Sequence, residues 1–244
     1  MRNMNSRKDG RSALDIREII LTRNYLPHAE GSCLVQLGDT RIITAASVID
    51  SVPPWLAGQA SGWITAEYGM LPRATHTRNR RPSSAVYQNG RTMEIQRIIG
   101  RSLRAVTNFK KFGERTISVD CDVINADGGT RVASIIGAAV SLHDACTWML
   151  EKDMTDQHPM NSLVAAISVG MVKGKVTVDL SYAEDSAADV DMNIVMTESG
   201  ELVEIQGTAE GKTFNRGMLD AMIDAAEPAV KTIIDIQKKT LGIS

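Results

Sequence analysis

Residues Thr116 to Val123 alternate strictly, with Ile117, Val119, Cys121 and Val123 on one side, and Asn125-Ala-Asp-Gly-Gly129 breaks the run. A helical period opens directly afterwards at Thr130, carried by Ala133, Ile136, Ala139, Val140, His143 and Thr147. Strict alternation marks a strand with one buried face, and steps of three and four mark a helix. A strand, a double-glycine turn and a long helix of small residues in direct succession commit the chain to sheets packed on helices.

The rest of the sequence extends that pattern. Arg17 to Leu26 is extended, and Cys33 to Leu37, the turn Gly38-Asp39-Thr40 and Arg41 to Val48 form a hairpin that Pro53-Pro54 ends. Trp63 to Tyr68 is a further strand, and Leu71 to Asn89, with Pro72 and Pro82, is a long basic loop. From Thr92, Ile95, Ile98 or Ile99, Ser102, Val106 and Phe109 define one helix, with Arg97, Arg101 and Arg104 striping another of its faces. Strands follow at Val164 to Val172, Val176 to Tyr182, Val190 to Met196 and Leu202 to Ile205. An amphipathic helix closes the chain from Leu219 to Leu241. The expectation is an α+β fold, one domain over residues 1–244.

Composition narrows the class. Of 244 residues, 43% are hydrophobic and 23% charged, which excludes wholesale disorder and fibrous folds. Three scattered cysteines with no CxxC pair, Cys33, Cys121 and Cys146, read as reduced thiols, so zinc-finger and disulfide scaffolds drop out. No uninterrupted apolar run approaches the ~18 to 20 residues of a membrane span, and the polar N-terminus differs from a signal peptide, so the expected location is cytoplasmic.

The net charge of −2 hides a strong asymmetry. From Arg73 to Arg104, eight arginines face Glu94 alone, a local charge of +7, whereas Glu184 to Glu227 carries −9. The basic part suits an anionic ligand. The acidic part is open to three uses: holding a metal, solvating a face, or meeting the basic region of another copy.

Three constellations carry chemistry. The turn Gly128-Gly129-Thr130-Arg131 opens a helix, where free N–H groups and the helix dipole favour an anion, and Arg131 adds a bidentate donor; the alternative is an ordinary turn with an exposed arginine. Gly90-Arg91 places a second arginine at a helix start. Glu184-Asp185-Ser-Ala-Ala-Asp189-Val-Asp191 brings four carboxylates into eight residues, a donor set for Mg²⁺ or Mn²⁺ or else a surface acidic loop. His28, His76 and His158 have no paired nucleophile, and His143 and Cys146, one turn apart, read as packed. GxGxxG, Walker, GxSxG and HExxH motifs are all missing. A phosphate site, a divalent metal and a basic surface together describe phosphoryl chemistry on a polyanion.

The segments Gly62-Trp-Ile-Thr-Ala-Glu-Tyr-Gly-Met-Leu-Pro-Arg73, Gly90-Arg-Thr-Met-Glu-Ile-Gln-Arg97, Asp120-Cys-Asp-Val-Ile-Asn-Ala-Asp-Gly-Gly-Thr-Arg131, Glu184-Asp-Ser-Ala-Ala and Asp191-Met-Asn193 resemble the ribonuclease PH family in its bacterial form. The likeness runs from Asp9-Gly-Arg11 through Gln206-Gly-Thr-Ala-Glu-Gly211 into the last helix. It implies the ribonuclease PH-like fold, a duplicated βαβα-type arrangement like domain 2 of ribosomal protein S5. It also implies a 3′-to-5′ phosphorolytic exoribonuclease that trims tRNA precursors and other RNA with single-stranded 3′ ends, rRNA included. Inorganic phosphate is then the co-substrate, nucleoside diphosphates the products, and a homohexamer, a trimer of dimers, the assembly. By this resemblance Arg91, Gly129, Thr130 and Arg131 hold phosphate. Asp185 and Asp191 are catalytic and bind Mg²⁺ or Mn²⁺, and Arg73, Arg78 and Arg81 serve ring assembly and RNA contact.

The chain departs from that pattern at Pro82 to Asn89, at Asn89 itself, at Val132 in place of a hydroxyl residue, and at Asp189-Val190 in place of Glu-Thr. None removes an expected phosphate or metal ligand. Two rivals stand beside the enzyme: a catalytically silent RNA-binding ring subunit of an exosome-like assembly, and polynucleotide phosphorylase, which uses related domains in larger number.

Overall fold

The computed structural model describes residues 7–81, 89–210 and 213–243. Pro82 to Gln88, most of the first departure above, lie outside the described residues.

The strand and turn signals of the N-terminal half become one five-stranded sheet. Its strands are β1 (Ile19–Arg23), β2 (Gly31–Leu37), β3 (Thr40–Ile49), β4 (Trp63–Met70) and β5 (Thr116–Asn125), in the order β1-β2-β3-β5-β4. All pairs are antiparallel except β4 with β5, which run parallel, Glu67 opposite Asp120 and Tyr68 opposite Cys121. The alternation of β5 is realised: Ile117, Val119, Cys121 and Val123 are at most 1% exposed. Each such side chain contributes about 1.5–3 kcal/mol through burial.

The second half forms a four-stranded antiparallel sheet from β6 (Val164–Val172), β7 (Lys175–Val178), β8 (Val190–Thr197) and β9 (Leu202–Ala209), in the order β7-β6-β8-β9. Helix α1 (Gly90–Ala105) packs on β4 and β9, and α2 (Thr130–Glu151) packs on β2 and β3 of the first sheet and on β6 of the second. A single turn α3 (Tyr182–Asp185) lies between β7 and β8, and α4 (Arg216–Leu241) covers β6 and β7. Sixteen of the 22 residues of α2 are buried, because a helix caught between two sheets must be apolar on all sides. By length and composition α2 is apolar enough to cross a membrane, although polar residues interrupt its apolar run. Yet 83% of its apolar window is buried inside the protein, so it is the core helix.

Three expected boundaries move. The arginine-striped helix starts at Gly90 and stops at Ala105, and Phe109 belongs to a separate 3₁₀ turn capped by the Asn108 side chain. The strand expected to reach Tyr182 ends at Val178, because Asp179 turns the chain with φ +54° and Tyr182 opens α3. Strand β9 runs on to Ala209.

Candidate active site

Two helix starts and one loop meet between the sheets. At the first, the Asn89 side chain accepts the Arg91 N–H at 3.1 Å, so the asparagine that departs from the family pattern serves as the cap of α1. Arg91 therefore lies inside the first turn, exposed to solvent.

At the second, Gly128 and Gly129 adopt φ of +73° and +69°. A Cβ on Gly128 would stand 2.6 Å from the Tyr182 nitrogen and 2.7 Å from the Leu180 oxygen, so only glycine lets this turn lie against the chain leading to Asp185. The turn is fixed from the other side by Thr40, whose hydroxyl donates to the Gly128 carbonyl at 2.7 Å. Thr130 is buried, and its Oγ1 accepts the Tyr68 hydroxyl at 2.9 Å. Arg131 donates to Gln206 Oε1 at 2.8 Å and pairs with Glu94 at 3.1 Å, with Gln206 Nε2 also donating to Glu94. Glu94, the one acid in the arginine-rich stretch, is thus the counter-charge that lets an arginine sit at a helix start. The Nε of Arg131 is buried and has no partner among the described residues. Val132 is fully buried in the core, where an apolar side chain suits the position.

The third component is the carboxylate pair. Asp185 ends α3 and Asp191 is the second residue of β8, opposite Gly170 of β6 and Thr208 of β9. The surrounding protein raises the Asp185 carboxyl above its ordinary range, although the residue reaches solvent, and the charge of Asp191 raises it further. Asp191 is raised too, by burial first, with Glu210 adding repulsion against its own backbone N–H. The positive charges of Arg91 and Arg131 act on both aspartates in the opposite sense. The four residues therefore share one electrostatic site, with Glu210 as a fifth charge.

Two further expectations are corrected. Glu184 does not join the carboxylate pair: Arg7 Nε and Nη2 reach it at 2.7 and 2.5 Å, and its Oε2 accepts the Ser181 N–H and hydroxyl, both at 2.9 Å. Burial alone would raise its carboxyl, but those bonds hold it at about 2. Asp189 sits at a bend before β8, outside the strand that carries Asp191, and its N–H donates to the Met171 carbonyl at 2.9 Å.

Arg73, Arg78 and Arg81 lie exposed on the loop after β4, and Arg73 donates to the His76 carbonyl at 3.3 Å. This loop touches the turn region through the Ala126 N–H, which donates to the Ala74 carbonyl at 2.8 Å. The arginine stripe of α1 is largely structural. Arg101 pairs with Glu204 at 2.6 Å, and Arg104 lies over the Trp63 ring at 4.8 Å and donates to the Ile64 carbonyl at 3.0 Å.

In the sequence Tyr68 is only the last residue of the expected strand Trp63 to Tyr68. A hydroxyl on a buried face needs a partner, which is the one signal that singles it out.

Profile comparison identifies the chain. Residues 15–147 match domain 1 of the 3′ exoribonuclease family, RNase PH, and residues 162–229 match its domain 2. The chain belongs to the 3′ exoribonuclease (RNase PH) family. The division falls between the two sheets. Among solved structures, an Archaeoglobus fulgidus exosome with RNA bound to the active site aligns with TM-score 0.80 at 22% identity, covering 94% of this chain and 91% of the other. Rice (Oryza sativa) Rrp46 aligns with TM-score 0.78 at 19% identity, covering 96% and 100%, and an archaeal exosome core with 0.77 at 21%, covering 97% and 92%. The RNase PH-like α+β fold is thereby established, and at these identities the likeness to solved structures is one of fold alone.

The site suits a divalent cation. Mg²⁺ is usually held by one or two protein carboxylates together with substrate phosphates and water. Asp185 and Asp191 offer such carboxylates: burial and then the Asp191 charge raise Asp185, and burial and then the Glu210 charge raise Asp191.

Proposed function

We propose that this RNase PH-family chain is a phosphorolytic 3′-to-5′ exoribonuclease that trims the 3′ ends of tRNA precursors, as the likeness to bacterial ribonuclease PH implies. The observation that carries the reading is the convergence of three segments: Arg131 at the start of α2 pairs with Glu94 of α1 at 3.1 Å, and the Gly128 turn lies against Leu180 to Tyr182, which lead to Asp185. Two cations at helix starts suit inorganic phosphate, and the unpartnered Arg131 Nε leaves one donor for it. The backbone N–H groups of Gly129 to Arg131 add donors that a helix cannot use internally.

Arg91, Thr130 and Arg131 would orient phosphate for in-line attack on the terminal phosphodiester. The new bond from phosphate to that phosphorus forms as the bond to the penultimate 3′-oxygen breaks, and that oxygen takes a proton. A nucleoside diphosphate leaves and the RNA is one residue shorter. Asp185 and Asp191 would hold Mg²⁺ or Mn²⁺, which when bound neutralises charge on the scissile phosphate. Phosphate is already anionic at neutral pH, so no histidine base is needed, and both His143 and His158 lie away from these residues against each other.

The exposed arginines at 73, 78 and 81 would serve RNA contact and a homohexameric ring in the cytoplasm. The exosome structures among the fold's neighbours favour a second reading, a silent RNA-binding ring subunit. Retention of both arginines and both aspartates favours the enzyme. Incubation of a 3′-tailed RNA with Mg²⁺, with and without phosphate, separates them. Nucleoside diphosphates released only with phosphate support phosphorolysis, monophosphates indicate hydrolysis, and intact RNA indicates the silent subunit.

A further inference from the structure

We propose that Tyr68 is a positioning residue: by donating to Thr130 Oγ1 it turns the Thr130 proton toward the anion held between Arg91 and Arg131. This rests on the phosphate-site reading given above and adds a residue to it.

The geometry supports the role from three sides. Tyr68 is 6% exposed on the inner face of β4, and its strand is held in register with β5, so the phenol has little room to swing. Its hydroxyl donates to Thr130 Oγ1 at 2.9 Å. A threonine hydroxyl owns one proton and two lone pairs, so an oxygen that accepts from Tyr68 keeps its proton for another acceptor. Among the described residues no acceptor takes that proton. The Thr130 carbonyl is already engaged by Ser134 Oγ at 2.9 Å.

The charges around the phenol show which pocket it serves. Arg91 and Arg131 both act on the Tyr68 hydroxyl. Burial raises the phenol further above neutrality, outweighing those two cations, so it stays a donor throughout the physiological range. The result is a relay in which a buried neutral donor orders a second donor, and each bond in such a chain polarises the next. The arginines supply charge, and the Tyr68–Thr130 pair supplies direction.

The test is a double-mutant cycle read on phosphate alone and on RNA cleavage. Tyr68→Phe should raise the KM for phosphate about fivefold to tenfold, the worth of one ordinary hydrogen bond. The KM for RNA and kcat should stay within about twofold. Thr130→Val should show a similar phosphate defect, and adding Tyr68→Phe to it should change little. Thr130→Ser, which keeps the hydroxyl, should bind phosphate within about twofold of the parent and remain sensitive to Tyr68→Phe. Calorimetric titration with inorganic phosphate gives the same comparison without turnover. Phosphate binding with the expected cycle but no RNA cleavage would refute phosphorolysis and leave the relay standing. Full activity with additive Tyr68 and Thr130 effects would refute the relay alone. Should Tyr68→Phe fail to fold, unchanged phosphate affinity in Thr130→Val would still overturn the proposal, as would a parent protein that binds no phosphate.

Discussion

Arg17 and Asp179 meet as a fork, Nε to Oδ2 at 2.9 Å and Nη2 to Oδ1 at 2.6 Å, with the aspartate fully buried and the arginine side chain 7% exposed. The same aspartate accepts the Arg17 N–H at 2.7 Å and Arg11 Nη1 at 3.0 Å, while Arg17 Nη1 donates to the Asp127 carbonyl at 2.6 Å. One arginine thus ties the residue before the Gly128-Gly129 turn to the chain leading to Asp185. The start of α2 and the segment that carries Asp185 are held together by a contact that includes neither Arg131 nor Asp185.

Arg17→Ala removes the fork and leaves the buried Asp179 with the Arg11 guanidinium as its remaining ionic partner among the described residues, which costs about 3 kcal/mol. Urea unfolding of the variant should show that loss at neutral pH. A midpoint within experimental error of the parent would mean that Arg11 alone compensates the Asp179 carboxylate.

Asp185→Asn and Asp191→Asn should separate activity from stability. Both carboxyls are raised in the folded chain, so their charged forms weaken it: the stability they cost is absent at low pH and appears as pH rises through their folded pKa values. Each variant should melt at or above the parent temperature at pH 7 while cleavage falls about a hundredfold or more. A clear fall in melting temperature would place these carboxylates in a stabilising network instead.

Gly128→Ala adds a Cβ 2.6 to 2.8 Å from backbone atoms of Leu180, Ser181 and Tyr182, at a φ that disfavours any side chain. Displacing the segment that carries Asp185 by about 1 Å can cost on the order of a hundredfold in rate. The expected variant folds with a loss of about 1–3 kcal/mol and a kcat at least tenfold lower. Parent-like kcat would uncouple the turn from the aspartate.

Stability should fall with acid before the carboxylates titrate. His143 and His158 stack with ring centroids 4.4 Å apart, and burial, reinforced by the charge of His158, lowers His143 to about 4. The unfolded chain binds a proton near pH 6.5 and the folded one only near 4, so stability is full above 6.5 and declines between those values. A pH series of melting temperatures should show this decline, and His143→Gln should flatten it. A parent curve already flat from pH 7 to 4.5 would contradict the assignment.

Many of the strands and helices are legible because one face is buried and period reveals it, as at Ile117, Val119, Cys121 and Val123, whereas α2 and β6 are buried nearly all round. Motif positions were equally plain, since Gly128 to Arg131 and Asp185 to Asp191 are short local segments. What period could not reveal were pairings between residues far apart in the chain. Glu184 belongs to the acidic run in the sequence, but Arg7, 177 residues away, holds it apart from Asp185. The strand expected to reach Tyr182 stops at Val178 because Asp179 turns to meet Arg11 and Arg17. Two of the three arginines striping α1 take partners far along the chain, Arg101 at Glu204 and Arg104 over Trp63, which the helical period does not indicate.

The central claim is that phosphate, and not water, breaks the terminal bond of the RNA. Orthophosphate labelled with ³²P, supplied with Mg²⁺ and an unlabelled 3′-tailed RNA, tests it directly through the chemical form of the released nucleotide. The account predicts label in the β-phosphate of nucleoside diphosphates, at a rate that rises with phosphate and is strongly reduced in Arg91→Ala. Unlabelled nucleoside monophosphates, or release indifferent to phosphate, would contradict it.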